Sequence, residues 1–284
     1  MKRSALSVGW VFSLARSGSS ITAYAAAAPW NLPVADEIMG PWVRTQEPYN
    51  FPPEQAKLVR MFKQSGAALT PEVAALTRSL LEQLADNASA NRIVSKHPHL
   101  RFTPEELAER FPQDRGVWLI RNPLRRLASI HARGWTSIVR PNHDLEFFRQ
   151  YAQRWLSLPD SQTLVFESLR TDPHVYFAKL FSALGWEATL GDVDTAIAYQ
   201  QRNYHGNSGG VEPHNSPTNT VSDAAKNVPT EAVDAYLADP FMQDLFKRLG
   251  WSRTPSDYTP APPSIAVRIR NKLARLSNKN QGQT

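Results

Sequence analysis

Val8-Gly9-Trp10-Val11-Phe12-Ser13-Leu14-Ala15-Arg16-Ser17-Gly18-Ser19-Ser20, running on through an alanine-rich segment to Ala28 and Pro29, is the stretch that decides the fold. Val8 to Phe12 is short, apolar and rich in β-branched and aromatic residues, the composition of a buried strand. A turn of small residues follows. A helix is predicted from about Ser19 to Ala28, and Pro29 ends it. A strand that feeds a helix through so tight a turn leaves the first helical N–H groups without intrahelical acceptors, and the helix dipole favours an anion beside them. Ser19 and Ser20 add hydroxyls, and Arg16 adds a fixed positive charge with a fork of donors. Such a turn also occurs as a plain polar loop, so the rest of the chain has to decide.

Working outward, Arg92 to Ser95, Gly116 to Ile120 and Thr163 to Phe166 read as three further short strands. Helices separate them: about 54–64, then 70–86 with Thr70 as N-cap and Pro71 in the first turn, then one opened by the capping box Thr103-Pro104-Glu105-Glu106. Others run past Arg126 and Ser129, span about 144–156, and start at Asp172-Pro173 with Gly185 as the C-terminal stop. A last helical stretch at about 230–249 is broken at Pro240. Apolar strands alternating with helices predict an α/β fold whose parallel sheet is covered on both faces. Residues 29–53, with six prolines, predict an irregular loop, and the Gly/Asn/Ser-rich residues 202–228 a mobile one. Residues 1–258 read as one domain, and 259–284 as a basic linker and amphipathic tail.

A second signal stands at the end of the third strand, where Arg121-Asn122-Pro123 follows Ile120 and Ser129 lies eight residues beyond Arg121. Open α/β sheets bind ligands at the carboxyl ends of their strands. A solvated helix start would also explain Arg121, Arg125 and Arg126. The first turn is not a Walker A loop, since Gly-Lys-Ser/Thr is missing, and no strand ends in an aspartate suited to Mg²⁺. An anion site of arginine and hydroxyls fits sulfuryl transfer better than phosphoryl transfer, because the migrating group carries less charge.

Together these elements resemble the PAPS-dependent sulfotransferases, whose donor is 3′-phosphoadenosine 5′-phosphosulfate, over about Val8 to Trp251. Arg16-Ser17-Gly18-Ser19-Ser20 looks like the family's 5′-phosphosulfate loop in the form carbohydrate sulfotransferases carry, and Arg121 with Ser129 looks like its 3′-phosphate site. Val165-Phe166-Glu167-Ser168-Leu169, Asp172-Pro173 and Leu184-Gly185-Trp186 are similar to its "YEDL…DP…FLGL" segment. The resemblance implies a P-loop-NTPase-like three-layer sandwich, a central parallel sheet flanked by helices. It implies PAPS as co-substrate, 3′,5′-ADP as product, no metal, and a hydroxyl or amine of a carbohydrate-like, lipid-linked or small-molecule acceptor.

It also implies roles. Ser17, Gly18, Ser19 and Ser20 would bind the 5′-phosphosulfate, Arg16 would stabilise the departing phosphate oxygen, and Arg121 and Ser129 would hold the 3′-phosphate. The family's general base is a glutamate or a histidine. Glu47, in Glu47-Pro48, is the first choice, and His97, in Ser95-Lys96-His97-Pro98-His99, the second. Lys96 would be a further cation near the sulfate. Lys226 and Arg202 bracket the 202–228 loop, where the family places a basic residue over the nucleotide. Ile21 stands where cytosolic members often have tryptophan. A P-loop-type kinase and a non-catalytic nucleotide-binding protein remain the alternatives.

The bulk properties narrow the class. The chain has 284 residues, a net charge of +6 and no cysteine, so disulfides and thiolate metal sites are excluded. Positive charge suits an anionic ligand, but no basic-aromatic stripe predicts a nucleic-acid partner. Val8 to Ala15 after Lys2-Arg3 is too short, and too soon followed by Arg16, for a secretory leader, and no run approaches the ~20 apolar residues of a membrane span. A cytoplasmic location is expected. Ile265, Ile269, Leu273 and Leu276 share one face of a basic tail that suits peripheral contact with an anionic membrane, or packing on the domain. Trp30 and Trp42 are candidate walls of an acceptor pocket. Oligomeric state has no sequence signal.

Overall fold

The computed structural model describes residues 6–39, 53–98, 102–132, 141–202, 228 and 230–251. Five strands form one sheet in the order β2-β3-β1-β4-β5, every neighbouring pair parallel. They are β1 (Ser7–Ser13), β2 (Val34–Asp36), β3 (Arg92–Pro98), β4 (Arg115–Ile120) and β5 (Thr163–Val165). The helices are α1 (Ser19–Ala27), α2 (Pro53–Gln64), α3 (Pro71–Asn87), α4 (Pro104–Arg110), α5 (Pro123–Ala132), α6 (Pro141–Ser157), α7 (Ser168–Thr171), α8 (Pro173–Ala183), α9 (Leu190–Arg202), α10 (Thr230–Ala238) and α11 (Pro240–Arg248). The expected α/β class with a parallel sheet is what the chain adopts.

Strand periodicity sorts side chains to two faces. Val11, Val94, Val117 and Leu119 face one side and pack with Ile21 and the alanines of α1, Phe177 and Phe181 of α8, and Ala196 of α9. Trp10 and Phe12 face the other, where Trp10 meets Phe111 at 5.2 Å and Phe12 meets Trp118 at 4.9 Å between ring centroids. Phe102, 5.9 Å from Phe62 of α2, continues this aromatic layer. Helices therefore cover both faces, as the unbroken apolar character of the strands demands.

Capping follows the sequence reading. Thr70 accepts from Val73 N at 3.3 Å, Thr103 and Glu106 form a complete capping box, and Asp172 accepts from Val175 N at 3.0 Å. Gly185 takes the left-handed conformation (φ 68°) that ends α8, and α10 and α11 meet at Asp239-Pro240.

Two expectations are corrected here. Residues 29–53 contain a strand, β2, which pairs with β3 through Val34, Ala35 and Asp36, so a strand does end in an aspartate, against the sequence expectation, and that aspartate is ion-paired with Lys96 at 2.7 Å. Trp30, expected as a wall of an acceptor pocket, is instead found at the amino end of β3, its ring 5.2 Å from Phe181 and 5.8 Å from Trp186 with the Arg92 guanidinium 5.5 Å over it.

The chain divides into two compact units, Met1–Arg121 with Gln150–Pro217, and Asn122–Arg149 with Thr218–Thr284. The first holds the sheet. In the second, Arg126 of α5 and Asp144 of α6 form a buried two-pronged ion pair at 2.9–3.0 Å, and Tyr236 of α10 donates to Asp144 at 2.8 Å. Among the described residues no helix is long and apolar enough to cross a membrane. The basic tail, Trp42 and His99 lie outside the described residues.

Candidate active site

In this strand order β1 lies between β3 and β4, and the chain after β1 crosses to one side of the sheet before returning to the other. The carboxyl ends of such strands form the crevice where α/β sheets bind ligands. Arg16 follows β1, Lys96 lies near the end of β3, and Arg121 follows β4.

The turn after β1 has a backbone form of the kind that suits an anion. Ser17 N donates to Leu14 O at 3.1 Å, and two residues adopt left-handed backbone, Arg16 at φ 68° and Gly18 at φ 92°. Arginine in that conformation costs on the order of 1–2 kcal/mol, and such strain persists where the surroundings impose it. Alternating right- and left-handed residues turn successive N–H groups into one concavity. Helix α1 opens on Gly18 with no side-chain cap, unlike α3, α4 and α8, and its first helical bond is Thr22 N to Gly18 O at 3.1 Å. The earlier amides of this turn are thus the natural donors for a ligand. Ser17 and Ser19 are buried, and Ser20 and Arg16 half-buried.

Arg121 reaches this turn. Its Nη1 donates to the main-chain oxygen of Arg16 at 2.7 Å, although the residues are 105 apart in sequence. The guanidinium lies over the ring of Phe166, 4.9 Å from the centroid. That ring also excludes any side chain at position 18, since a Cβ there would come within 2.0 Å of it. Gly18 therefore satisfies two demands at once, a positive φ and the close approach of an aromatic ring.

Lys96 is fully buried on the α1 face of the sheet, and its ammonium has three partners: Asp36 Oδ1 at 2.7 Å, Glu37 Oε1 at 2.9 Å and Ser20 Oγ at 3.0 Å. These match the ammonium's donor capacity, as burial of a charge requires. Glu37 is held at both ends by the same residue, because its N–H also donates to Lys96 O at 2.9 Å. Tyr24 donates to Asp36 Oδ2 at 3.3 Å. Burial first, then the Asp36 carboxylate, push the Tyr24 hydroxyl well above its usual range, so it stays a donor.

His97 is placed differently from expectation. It follows Lys96 in the strand and so turns to the opposite face, where it is 1% exposed with its ring 5.6 Å from that of Trp10. Burial, with Lys96 alongside, pushes its pKa down to about 3. A neutral imidazole in an aromatic layer, its Nε2 without a hydrogen-bond partner among the described residues, is poorly placed to take a proton from a substrate at the α1 face.

Glu47 and Lys226 lie outside the described residues. Ser129 is on α5, half-buried, in the second unit. The sequence reading missed Asp36, Glu37 and Phe166 as site residues. Adjacent acids directly after Val34-Ala35 were the available signal for the first two, hidden by the surrounding prolines.

No protein-family model and no curated protein sequence matches the chain. Among solved structures, it is similar to the sulfotransferase domain of the Synechococcus PCC 7002 olefin synthase, with 15% identity, a TM-score of 0.47, and 89% of this chain and 98% of that one covered. It is also similar to retinol dehydratase in complex with androsterone and the inactive cofactor PAP, with 16% identity, a TM-score of 0.39, and 68% of this chain and 64% of that one covered.

Proposed function

We propose that this chain is a sulfotransferase that moves a sulfuryl group from PAPS to a hydroxyl or amine, by direct in-line transfer. The observation that carries the reading is the 2.7 Å hydrogen bond from Arg121 to the Arg16 main chain, which places a strand-end arginine at an uncapped helix N-terminus. A turn suited to one phosphate and a cation suited to a second, side by side, is the chemistry that recognises an adenosine with phosphates at both 5′ and 3′ positions. Ser129 enters the reading through its spacing from Arg121 alone.

The steps follow from electrostatics and positioning. The first amides of α1 and the serine hydroxyls bind the 5′-phosphate end of the donor. The acceptor oxygen or nitrogen forms a bond to sulfur as the bond from sulfur to the 5′-phosphate oxygen breaks. The electron pair goes to that oxygen, where Arg16 stabilises it, and 3′,5′-ADP departs. The acceptor proton passes to a carboxylate. Glu37 joins Glu47 as a candidate for that base, because Lys96 holds it beside Ser20 of the phosphate turn. Asp36, itself held by Tyr24, helps fix Lys96, whose positive charge then acts on the phosphate turn through Ser20 and on Glu37. A carbohydrate-like acceptor rests on the RSGSS form of the turn, and a cytoplasmic, membrane-touching enzyme on the composition and tail.

The test is thermal. A ligand that binds only the folded state raises its stability by about 2.7 kcal/mol at 100 times its Kd. For a chain of this size, that is roughly 5 °C or more. 3′,5′-ADP is expected to produce such a shift, and Mg²⁺-ATP a much smaller one. A melting point unmoved by millimolar 3′,5′-ADP sinks the proposal. An acceptor screen with labelled PAPS over sugars, phenols and lipid-linked glycans then identifies the second substrate.

A further inference from the structure

We propose that Lys96 serves the reaction as a positioning residue: it meets neither substrate, and it locks the carboxylate of Glu37 to Ser20 of the phosphate turn, so that base and donor share one frame. The inference rests on the donor reading just given and deepens it, separating a cation that holds the site together from those that meet the donor.

Lys96 lies in β3 beside Asp36 of β2, and Glu37 is the first residue beyond that strand. Three side-chain oxygens surround the ammonium: Asp36 Oδ1 at 2.7 Å, Glu37 Oε1 at 2.9 Å and Ser20 Oγ at 3.0 Å. An ammonium has three N–H donors, so these partners account for all of them. The Lys96 side chain is 0% exposed, against 31% for Asp36 and 24% for Glu37. Solvent reaches the carboxylates and not the lysine behind them.

Glu37 is held against its own backbone preference. Its φ of 57° is left-handed, a conformation that residues with side chains rarely adopt and that persists where the surroundings impose it. Lys96 holds it at both ends, accepting from the Glu37 N–H at its main-chain oxygen and donating to Oε1, each at 2.9 Å. The same ammonium donates to Ser20, the second residue of α1. One buried charge thus fixes a carboxylate suited to take the acceptor proton relative to the turn suited to the donor. Transfer depends steeply on that placement, since a shift of about 1 Å can cost roughly 10²-fold in rate. A cation that met the sulfuryl group would instead strengthen binding of PAPS, which carries that group, over 3′,5′-ADP, which lacks it.

Calorimetry with PAPS and 3′,5′-ADP reads the contact question without an acceptor. Lys96→Met is expected to leave the ratio of the two affinities within about twofold of the wild type, whereas loss of a direct sulfuryl contact would change it roughly tenfold. Labelled PAPS with the acceptor screen, water included, reads the positioning. Lys96→Met is expected to lower turnover roughly 10²-fold. Lys96→Met combined with Glu37→Gln is expected to fall no more than about threefold below Glu37→Gln alone, because residues that act as a unit are not additive. Any of three results overturns the inference and leaves the donor reading standing: a changed ratio, turnover kept in Lys96→Met, or losses that multiply in the double variant. A wild-type chain that binds neither nucleotide, or that binds both and moves label to no acceptor, overturns both. Should Lys96→Met fail to melt cooperatively, Lys96→Met with Asp36→Asn makes the same comparisons with one stranded charge fewer.

Discussion

At the scale of single residues, Lys96 and His97 show how one step along a strand separates chemistry from packing. Lys96 meets Glu37, Asp36 and Ser20 on the α1 face, while His97 enters the aromatic layer behind the sheet. Period-2 alternation already forbids consecutive strand residues from serving one site. The sequence reading paired them because it ended the strand at Ser95, two residues before His97. The two placements predict opposite behaviour. Glu37→Gln is expected to lower turnover by roughly 10²–10⁴ with the acceptor that the screen yields, leaving 3′,5′-ADP affinity within about twofold. His97→Phe is expected to keep activity and to change acid stability instead. The imidazole's folded pKa is about 3 against an ordinary 6.5, so the unfolded chain binds its proton first. Its contribution is complete above about pH 6.5 and shrinks by about 1.4 kcal/mol per pH unit as pH falls toward 3. Urea midpoints from pH 7 to 4 are therefore expected to fall less steeply in His97→Phe than in the wild type. Activity lost with His97→Phe and kept with Glu37→Gln would reverse the assignment.

At the scale of elements, what was legible was local. β1, its turn and α1 announce themselves because an apolar pentapeptide, small residues and a closing proline are consecutive. The caps at Thr70, Thr103 and Asp172 are equally local. β2 escaped because three residues are too few for any period, and its evidence is the pairing with β3 some 60 residues away. The buried ion pair between α5 and α6 was illegible for the same reason: Arg126 reads as one of several helix-start arginines until Asp144, 18 residues on, is seen to grip it. Burial lowers the arginine's affinity for its proton, but Asp144 more than offsets this and holds the charge on. Removing one partner leaves an uncompensated buried charge, which costs about 3–5 kcal/mol. Asp144→Ala is thus expected to lower the unfolding free energy, read from urea unfolding, by that amount. The double variant Arg126→Met with Asp144→Leu is expected to recover much of it, since an apolar pair fills the space without stranded charge. Additive losses in the double variant would show that the pair itself contributes little.

At the scale of the whole sheet, stability and binding are assigned to opposite ends of the strands. At the amino end, Asp114 accepts from Val8 N at 3.3 Å, from Trp10 Nε1 at 3.0 Å and from both contacts with Arg78 at 3.0 Å, closing the entry to β1. Desolvation pushes its carboxyl above the usual range despite these partners, the mark of a group whose satisfaction is structural. At the carboxyl end, Arg16 carries a left-handed backbone, α1 lacks a side-chain cap, and Arg121 spends one donor on a main-chain oxygen. A helix that opens without a side-chain cap at the carboxyl edge is the kind of place where the proposed anion would sit. Parallel topology forces this asymmetry, because every strand delivers its carboxyl terminus to the same edge. Asp114→Ala, which strands the Arg78 charge, is therefore expected to lower the unfolding free energy by about 2–4 kcal/mol while 3′,5′-ADP affinity stays within about twofold. Arg121→Ala is expected to do the reverse, weakening 3′,5′-ADP by about 10- to 100-fold through lost charge-assisted hydrogen bonds, with a change in unfolding free energy below about 1 kcal/mol. Calorimetry and urea unfolding on the same two proteins decide the matter: if Asp114→Ala loses ligand as severely as Arg121→Ala, or Arg121→Ala loses stability as severely as Asp114→Ala, the two ends of the sheet do not divide the labour.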